Sequence, residues 1–298
     1  MRAMVTGSAG HLGKFLMRAL RRHGHDPFGF DWQPDHRDGY LCGSVVNPDE
    51  VAHAFQVFQP EVVFHLAARV SRVVAEAARG LTMTVNVEGT RVVADACRTW
   101  GALLVNISTS EVYGEAVQQF EGATCKPNNW YGLAKHLAEQ VVDYYRTMEL
   151  NAVTVRPFML YSEEQAGGQH CSALSRFAYG IANGQTITVH EGAVRGWLHM
   201  HDMAEMLVKI AEGNAWHPVL NIGNDDVRPI EELAALVGAE LGKAPKIVCT
   251  PMPARMTAVK KPDLTFQRSL GLVPTISLED GIARVCARVV GSKEEVTT

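Results

Sequence analysis

The sequence lacks any run of about 20 apolar residues, the length that a membrane-spanning helix requires. It also lacks a basic cluster, since its formal net charge is -4 and its isoelectric point is near 6.3. The apolar segment after Met1 is too short for a signal peptide and leads directly into a glycine motif. We therefore expect neither nucleic acid nor a membrane as a partner.

The cysteines also lack the spacings that metal sites and disulfide scaffolds require. No CxxC pair occurs, and no histidine lies at zinc-site spacing from a cysteine. His199 and His201 alternate like ligands, but without a third ligand nearby they are interpreted as a structural pair, so we expect no metal. Reduced thiols in a cytoplasmic protein are expected at the six positions Cys42, Cys97, Cys125, Cys171, Cys249 and Cys286.

The chain does have the length and the apolar content for a substantial core. Its 298 residues are 47% hydrophobic and 20% charged, which is typical of a globular protein. That length accommodates one large α/β domain and a smaller elaboration.

A glycine-rich turn lies between a predicted strand at residues 2–6 and an amphipathic helix. Gly7 permits a tight turn, Gly10 lets the backbone approach a pyrophosphate, and Gly13 allows close packing of the helix. Three glycines alone also fit a flexible connector. Their position between strand and helix favours a dinucleotide site.

Asp31 ends the second predicted strand, eighteen residues after Gly13. An acidic residue about 20 positions beyond such a turn binds the adenosine ribose hydroxyls. Its carboxylate would repel a 2′-phosphate, so NAD is favoured over NADP. Arg37 could in principle rescue a phosphate, but no basic partner stands beside the strand end.

Strands and helices are predicted to alternate through the first half of the chain, which indicates a doubly wound parallel sheet. The predicted strands are 2–6, 26–30, 61–66 and 102–107, and the helices after the glycine turn are 48–58, 84–100 and 130–148. In the second half we predict a strand at 186–190 and helices at 172–183, 200–212, 229–241 and 279–290.

Tyr131 and Lys135 are four residues apart on the helix predicted at 130–148. This spacing places a phenol and an ammonium on one helix face, where the cation can lower the pKa of the phenol. A phenol tuned in this way is a usable base for alcohol oxidation. On spacing alone, a solvated face with an incidental aromatic is the alternative.

The chain resembles the extended short-chain dehydrogenase/reductase family, in its NAD-dependent sugar epimerase/dehydratase branch. Its landmarks follow in order as GxxGxxG at 7–13, Asp31, HLAA at 65–68, NVEGT at 86–90, the hydroxyl-rich run at 108–114, YxxxK at 131–135, Arg156-Pro157, Asp202-Met203-Ala204, Asn221-Ile222-Gly223 and Leu270-Gly271 with SLEDG at 277–281.

The resemblance implies a Rossmann-type doubly wound parallel sheet with a smaller, discontinuous C-terminal substrate-binding domain. The NAD-binding domain would comprise residues 1–155, and the segment of about 186–215 would return to it. The substrate-binding region would comprise 156–185 and 216–291, before a flexible tail at 292–298.

The family pattern also assigns roles. Tyr131 would take the proton from a sugar hydroxyl, Lys135 would hold the nicotinamide ribose and lower the pKa of the tyrosine, and Thr109 would bridge substrate and phenol. The resemblance implies NAD-binding roles for Gly7, Gly10, His11, Leu12, Gly13, Asp31, Leu66, Ala67, Ala68, Tyr131 and Lys135. It implies substrate-binding roles for Arg69, Thr109 and Arg195.

Thr109-Ser110-Glu111 resembles the corresponding run of nucleotide-sugar 4,6-dehydratases and UDP-glucuronate decarboxylases. In such enzymes a 4-keto sugar forms first, and a glutamate then acts as acid or base at C5. We place Ser110 and Glu111 with the catalytic residues and expect Glu111 on a strand, on the same side as Thr109. An exposed strand-end carboxylate is the alternative for Glu111.

Two positions bear on the substrate. Met159 stands where the family pattern has an amide that contacts a diphosphate sugar, which favours an unusual or smaller sugar. Arg195 is the candidate anion ligand, with a solvated loop arginine as the alternative.

The expected activity is transient oxidation of a sugar or nucleotide-sugar hydroxyl by NAD, followed by epimerisation or elimination. The alternatives are a net sugar dehydrogenase or reductase, a decarboxylase, or a non-catalytic NAD-binding regulator. A homodimer is expected through the helices predicted at 84–100 and 130–148. Apolar residues proposed for that face are Val85, Val92, Val93, Ala96, Leu137, Val141, Tyr144 and Tyr145.

Overall fold

The computed structural model describes residues 1–165, 172–213 and 217–294. The strands are β1 (Arg2–Thr6), β2 (Asp26–Asp31), β3 (Tyr40–Cys42), β4 (Val62–His65), β5 (Leu103–Ile107), β6 (Ala152–Pro157), β7 (Leu160–Tyr161), β8 (Thr186–His190), β9 (Val194–Gly196), β10 (Leu198–His199), β11 (Val219–Ile222), β12 (Val227–Pro229), β13 (Lys246–Thr250) and β14 (Val259–Lys260). The α-helices are α1 (His11–Arg22), α2 (Pro48–Phe58), α3 (Arg72–Ala77), α4 (Arg79–Met83), α5 (Gly89–Trp100), α6 (Trp130–Arg146), α7 (Ala173–Ala182), α8 (Met200–Glu212), α9 (Ile230–Glu240), α10 (Thr265–Ser269) and α11 (Leu278–Glu294).

A seven-stranded sheet forms the centre of the larger part, in the order β11-β6-β5-β4-β1-β2-β3. Each of its pairings is parallel. Ala3 and Val5 of β1 face one buried cluster, and Met4 between them faces another. Because both faces are covered, the strands are continuously apolar, as parallel sheets are. The predicted doubly wound sheet is confirmed.

Helix capping places two of the helices where the sequence predicts them. The Asn47 side chain accepts from the amide of Asp49 at 3.1 Å, and Pro48 occupies the first turn of α2. The Asn129 side chain accepts from the amide of Gly132 at 2.9 Å and so starts α6. The second cap fixes the position of the helix that carries Tyr131 and Lys135.

The helix predicted at 84–100 is not uniform. Residues Thr84–Glu88 form a π-helical turn before α5 begins. Asn86 is buried there, and its side chain accepts from the amide of Arg69 at 2.7 Å and donates to the carbonyl of Arg69 at 3.2 Å. A π-helical turn adds a single residue, and the resulting change of phase is too small to recognise from the sequence alone.

The smaller part has its own buried cluster between α7, α9 and α11, with Trp197 and Tyr161 among its fully buried residues. Two small sheets border it, one pairing β8 with β13 and the other ordered β12-β9-β14.

This arrangement changes the predicted domain boundaries. The strand at 186–190 pairs with 246–250 in the smaller part, whereas β11, predicted within the substrate region, is an edge strand of the main sheet. Helix α8 does return, because it packs in the same cluster as α1. The last helix continues to Glu294, beyond the predicted start of a tail at Ser292, and residues 295–298 lie outside the described residues. Apolar alternation identifies a strand but not the strand with which it pairs.

Among the described residues, no helix has the length and apolar character needed to cross a lipid bilayer.

Candidate active site

The glycine turn after β1 has the geometry that a bound pyrophosphate requires. Gly7 has φ of 73°, and a Cβ there would lie 2.7 Å from the amide nitrogen of Ala67. A Cβ on Gly13 would collide with the carbonyl of Gly7. Gly10 caps α1 without a side chain, so the first amides of the helix receive no side-chain cap. Helix amides left in this way form an anion site, and the turn fits a dinucleotide.

Asp31 lies beside this turn, at the end of β2. Its carboxylate accepts from the amide of Ala9 at 3.0 Å and from that of Gln33 at 3.0 Å. Arg37 instead pairs with Asp35, to which its Nε donates at 2.9 Å. The predicted ribose ligand therefore lies at the glycine loop, and the arginine that could have neutralised it has another partner.

The segment after β4 follows the opposite side of the glycine turn. Leu66 donates its amide to the carbonyl of Thr6 at 3.2 Å, and Ala67 donates to the Thr6 hydroxyl at 3.3 Å. Ala68 is half-buried. Arg69 has a buried Nε without a hydrogen-bond partner among the described residues. These backbone contacts hold the predicted phosphate-side residues against Gly7.

His65 anchors the end of β4 between two threonines. Its Nδ1 lies 2.8 Å from the Thr6 hydroxyl and its Nε2 lies 3.1 Å from the Thr90 hydroxyl. Thr90 donates its own proton to the carbonyl of Asn86, so a neutral imidazole protonated at Nε2 satisfies every partner. Burial lowers the pKa of His65 to about 3, with a smaller contribution from Lys135.

Tyr131, Lys135 and Thr109 come together at the carboxyl end of β5. Tyr131 is buried in the first turn of α6, and the Thr109 side chain is close enough to lower its pKa. Lys135 is buried one turn later, and its ammonium donates to the carbonyl of Ile107 at 2.6 Å. Burial lowers the pKa of Lys135 to about 8, while the carboxylate of Glu139 acts in the opposite direction.

The pKa of Tyr131 differs from the expectation that Lys135 lowers it. Burial raises the pKa of Tyr131, the charge of Glu111 raises it further, and only the hydrogen bond with Thr109 lowers it. The phenol is therefore neutral at physiological pH in the protein without its cofactor. Spacing on a helix face predicts proximity, but the direction of a pKa shift depends on burial, which the sequence does not give.

Glu111 lies next to Tyr131, but the structural basis predicted for this was wrong. Residues Ser110–Tyr113 form a 3₁₀ helix, capped by the Thr109 hydroxyl, which accepts from the amide of Glu111 at 3.2 Å. The side chains beyond Thr109 therefore do not alternate between two faces as they would in a strand. Ser110 is buried within this turn.

Two side chains hold the carboxylate of Glu111. Its Oε1 forms an ion pair with the ammonium of Lys260, and its Oε2 accepts from the amide of Asn129 at 2.7 Å. Burial alone would raise the pKa of Glu111, but Lys260, Asn129 and the more distant Arg195 bring it below its usual range. The residue is a partly buried carboxylate that is ionised at neutral pH.

Gly132 allows α6 to approach the 3₁₀ turn closely. A Cβ on Gly132 would lie 2.6 Å from the carbonyl oxygen of Glu111. Asn129 spans the same junction, since it caps α6 and also binds Glu111. A backbone contact and the side chain of Asn129 therefore join the start of α6 to the 3₁₀ turn.

Arg195 is buried rather than free in a loop. Its guanidinium donates to the carbonyls of Val194, at 2.9 Å, and Thr257, at 2.5 Å, and also to that of Ala258. Burial lowers the pKa of Arg195 to about 10, and Glu111 acts in the opposite direction. The predicted anion ligand thus has several donors committed to backbone.

Sequence reasoning missed Lys260 and Asn129. Lys260 lies on β14, opposite Arg195 in the register with β9, and this pairing brings it to Glu111. Its only sequence signal is a pair of lysines before Pro262, which is typical of a solvated face. Asn129 carries a recognisable signal, because an asparagine before a helical pattern is a standard cap.

Cys125, His136 and Glu139 bring three potential metal-ligand atoms within 4.8 Å of one another. The carboxylate of Glu139 is already committed, because Arg156 donates to both of its oxygens, at 2.9 and 2.7 Å, and Ser108 donates to one. His136 approaches it only at 3.5 Å, the limit of a hydrogen bond. We interpret the group as part of a buried ion-pair network.

His199 has a structural role. Its Nε2 lies 2.7 Å from the carboxylate of Glu163, and its Nδ1 accepts from the amide of His201 at the start of α8. The predicted structural interpretation of the two histidines agrees with these contacts.

A parallel sheet with a glycine turn, a ribose-side aspartate and a Tyr-Lys-Thr site defines an NAD-dependent dehydrogenase-type enzyme. The model of the NAD dependent epimerase/dehydratase family matches residues 3–223. The chain belongs to this family, which confirms the resemblance to extended short-chain dehydrogenases, and its cofactor is NAD.

Curated relatives align over nearly the whole chain. A UDP-N-acetyl-alpha-D-glucosaminuronate decarboxylase from Bacillus cytotoxicus is 27% identical, over 94% of this chain and 95% of that protein. A UDP-glucose 4-epimerase from Mycolicibacterium smegmatis is 25% identical, over 95% of this chain and 97% of that protein.

Solved structures share the fold. The UDP-glucose 4-epimerase of Thermotoga maritima, solved with UDP-glucose, superposes with a TM-score of 0.91 at 22% identity, over 98% of this chain and all of that chain (100%). The Thermus thermophilus UDP-glucose 4-epimerase, solved with NAD, gives a TM-score of 0.87 at 24% identity with the same coverage.

Proposed function

We propose that this enzyme oxidises a hydroxyl of a nucleotide-linked sugar at Tyr131, and that Glu111 then acts on the neighbouring carbon before the sugar is reduced again. The observation that carries this proposal is the partly buried Glu111, which is ionised at neutral pH and whose charge reaches Tyr131. Oxidation of an alcohol needs one base for the hydroxyl proton, so a second base indicates a further proton transfer. Bound NAD would accept the hydride and later return it.

Three residues would perform the oxidation. Thr109 would orient the substrate hydroxyl and Tyr131 would take its proton. The pKa of Lys135 of about 8 leaves its ammonium mostly protonated at pH 7. That charge, one helical turn from the phenol, would favour the phenolate once the cofactor and substrate fill the site.

Glu111 would perform the second step. A 4-keto group acidifies the hydrogen on C5, and a carboxylate that stays ionised at neutral pH can accept it. The same keto sugar supports epimerisation, elimination or loss of a carboxyl group. The pairing of Glu111 with Lys260 and Asn129 is the support for a catalytic role over a structural one.

The surroundings of the site support a substrate with an anionic part. Lys260 and Arg195 are buried together, and Arg72 is close enough to affect the pKa of Lys260. Arg176, Arg72 and Arg195 all influence His190, whose pKa burial lowers. A diphosphate or a sugar carboxylate would balance these charges. Met159 packs against the buried cluster of the smaller part. Because it cannot replace the amide that contacts a diphosphate sugar, an unusual sugar stays a prediction.

A substrate panel with Glu111→Gln tests the proposal. UDP-glucose, UDP-glucuronate and dTDP-glucose are incubated in D₂O, with product followed by NMR and NADH by absorbance. We expect wild-type product with deuterium at C5 and no net NADH. The Glu111→Gln variant should accumulate NADH without product.

The matched control is Glu115→Gln, which removes an exposed carboxylate four residues away that binds Asn128 at 3.1 Å. It should behave as wild type. Stoichiometric NADH from the wild type would instead identify a net dehydrogenase. Normal turnover by Glu111→Gln would make the glutamate structural.

We propose that the enzyme is a homodimer that pairs through α5, α6 and the π-helical turn. The dimer face differs from the predicted one, because Val92 and Val93 are buried in the core and are not available for contact with a second copy. An apolar groove remains on the surface, and it is lined by Val87, Arg91, Leu137, Gln140, Val141, Tyr144 and Tyr145. A second copy of the same groove would cover Tyr144, which is 65% exposed.

We also propose a cytoplasmic location. It is supported by the free thiols of Cys42, Cys97, Cys125, Cys249 and Cys286. Fractionation of cells that produce the tagged protein tests this, and recovery in an oxidising compartment would contradict it.

A further inference from the structure

Lys260 is a buried lysine that arrives in the active site from the far end of the chain. It is 6% exposed, and it pairs with a residue 149 positions earlier, Glu111. A buried ammonium is costly unless it has a charged partner. Here the partner is the carboxylate to which the second chemical step is assigned.

The groups that face this pair come from several elements. Arg195 lies on β9, Arg72 on α3, Asn129 at the start of α6, and Tyr131 in its first turn. Arg72 donates to the carbonyl of Ala254, whereas Lys260 contacts the carboxylate itself. Lys260 is therefore the cation that fixes one oxygen of Glu111, and Asn129 fixes the other.

The segment that carries Lys260 is attached independently of the ion pair. Gln119 donates to the carbonyl of Val259 at 2.9 Å, and the hydroxyl of Thr257 donates to the carbonyl of Gly114 at 3.0 Å. Arg195 also donates to the carbonyl of Thr257. Replacement of the Lys260 side chain therefore leaves these anchors of the segment in place.

We propose that Lys260 is the positioning residue that keeps Glu111 ionised and aimed at the carbon next to the one whose hydroxyl Tyr131 deprotonates. The lysine acts through Glu111 and not on the substrate. Its role in turnover rests on the proposed function, but the pairing can be measured without turnover.

The first test observes Glu111 directly. The protein is labelled with ¹³C in its glutamate carboxyl groups, and the Glu111 signal is assigned by its loss in Glu111→Gln. In the wild type and in Lys260→Arg the signal should remain that of a carboxylate at acidic pH. In Lys260→Met the pKa of Glu111 should be higher than in the wild type by about one unit or more.

The control is Lys261→Met, because Lys261 is the exposed neighbour of Lys260. It should leave the Glu111 signal unchanged. Titration of Glu111 at the same pH in Lys260→Met and in the wild type would overturn the proposal.

The second test separates positioning from substrate binding. For Lys260→Met, the acidic limb of the kcat profile should move to higher pH, because Glu111 must lose its proton to act. We expect kcat at pH 7 to fall about tenfold or more with KM within about threefold, and Lys260→Arg to restore most of the rate.

A double variant completes the test. Added to Glu111→Gln, Lys260→Met should lower the rate of NADH formation by no more than about twofold, because the lysine acts through Glu111. A rise in KM in both backgrounds would show that Lys260 binds substrate, which contradicts the proposal. If wild type turns over no nucleotide sugar, the proposed function fails, and the carboxyl titration still decides the role of Lys260.

Discussion

The guanidinium of Arg156 donates to both carboxylate oxygens of Glu139, at 2.9 and 2.7 Å, one turn of α6 beyond Lys135. Arg156 also donates to the hydroxyl of Tyr113 at 2.9 Å, and Tyr113 donates to Asn221 on the edge strand at 2.8 Å. Glu139 in turn raises the pKa of Lys135 against the effect of burial. One buried ion pair therefore links the sheet edge to Lys135.

We predict that Arg156→Met destabilises the protein by about 3–5 kcal/mol, because it leaves the carboxylate of Glu139 buried without its partner. Urea unfolding measures the change. The double variant Arg156→Met, Glu139→Leu should recover part of the loss, since no unpaired charge remains. Equal stability of Arg156→Met and wild type would show that water or a rearranged partner replaces the guanidinium.

The burial of His65 should make the protein less stable as the pH falls. The pKa of His65 in the folded state, about 3 because of burial, is below that of an unfolded histidine, so unfolding takes up a proton. Stability should fall as the pH drops from about 6.5 towards 3, by at most about 1.4 kcal/mol per unit from this residue. Urea midpoints at several pH values should show a flatter dependence for His65→Gln. The exposed His53→Gln serves as the control and should retain the wild-type slope.

Tyr131→Phe should lower kcat by about 10²–10⁴-fold, because it removes the group that exchanges a proton with the substrate hydroxyl. NAD binding by calorimetry should stay close to wild type, since the ring still packs in place. Tyr179→Phe, at a half-exposed tyrosine of α7, should leave the rate unchanged. A rate above about a tenth of wild type would exclude Tyr131 as the main base.

Asp31→Asn should narrow the preference for NAD over NADP. The amide can keep one of the two contacts with backbone amides but no longer repels a 2′-phosphate. Calorimetric titration with each dinucleotide should show an affinity ratio about tenfold smaller than in wild type. Asp35→Asn, which disturbs only the pair with Arg37, should preserve the ratio.

Leu137→Arg should convert the expected dimer to a monomer, because it places a charge in the apolar groove between the helices. Light scattering coupled to gel filtration reports the mass. Val57→Arg adds the same charge at an exposed valine on α2 and should remain dimeric. A monomeric wild type at micromolar concentration would contradict the dimer itself.

Local patterns in the sequence were sufficient for the parts of the molecule that depend on neighbours in the chain. The glycine turn, the cap of α2 and the helical spacing of Tyr131 and Lys135 all belong to this group. Glu111 was identified as a candidate by its neighbours, but the 3₁₀ turn that carries it was not predicted. Short turns of this kind depend on tertiary contacts.

The partners of Glu111 could not be predicted in the same way. Lys260 reaches the site only because β14 pairs with β9, and no local pattern specifies that pairing. The raised pKa of Tyr131 likewise depends on its burial by distant segments. Contacts between residues that are far apart in the chain can be identified only from the three-dimensional structure.

Gly132 has no side chain to take part in the chemistry, yet it limits how the site can change. Any side chain there would push the Glu111 turn away from the helix that carries Tyr131. The two residues proposed as proton acceptors, Tyr131 and Glu111, are thus joined through a close backbone contact. Substitutions at Glu111 can redirect the fate of the keto sugar without moving the phenol, whereas a methyl group at position 132 would disturb both reactions at once.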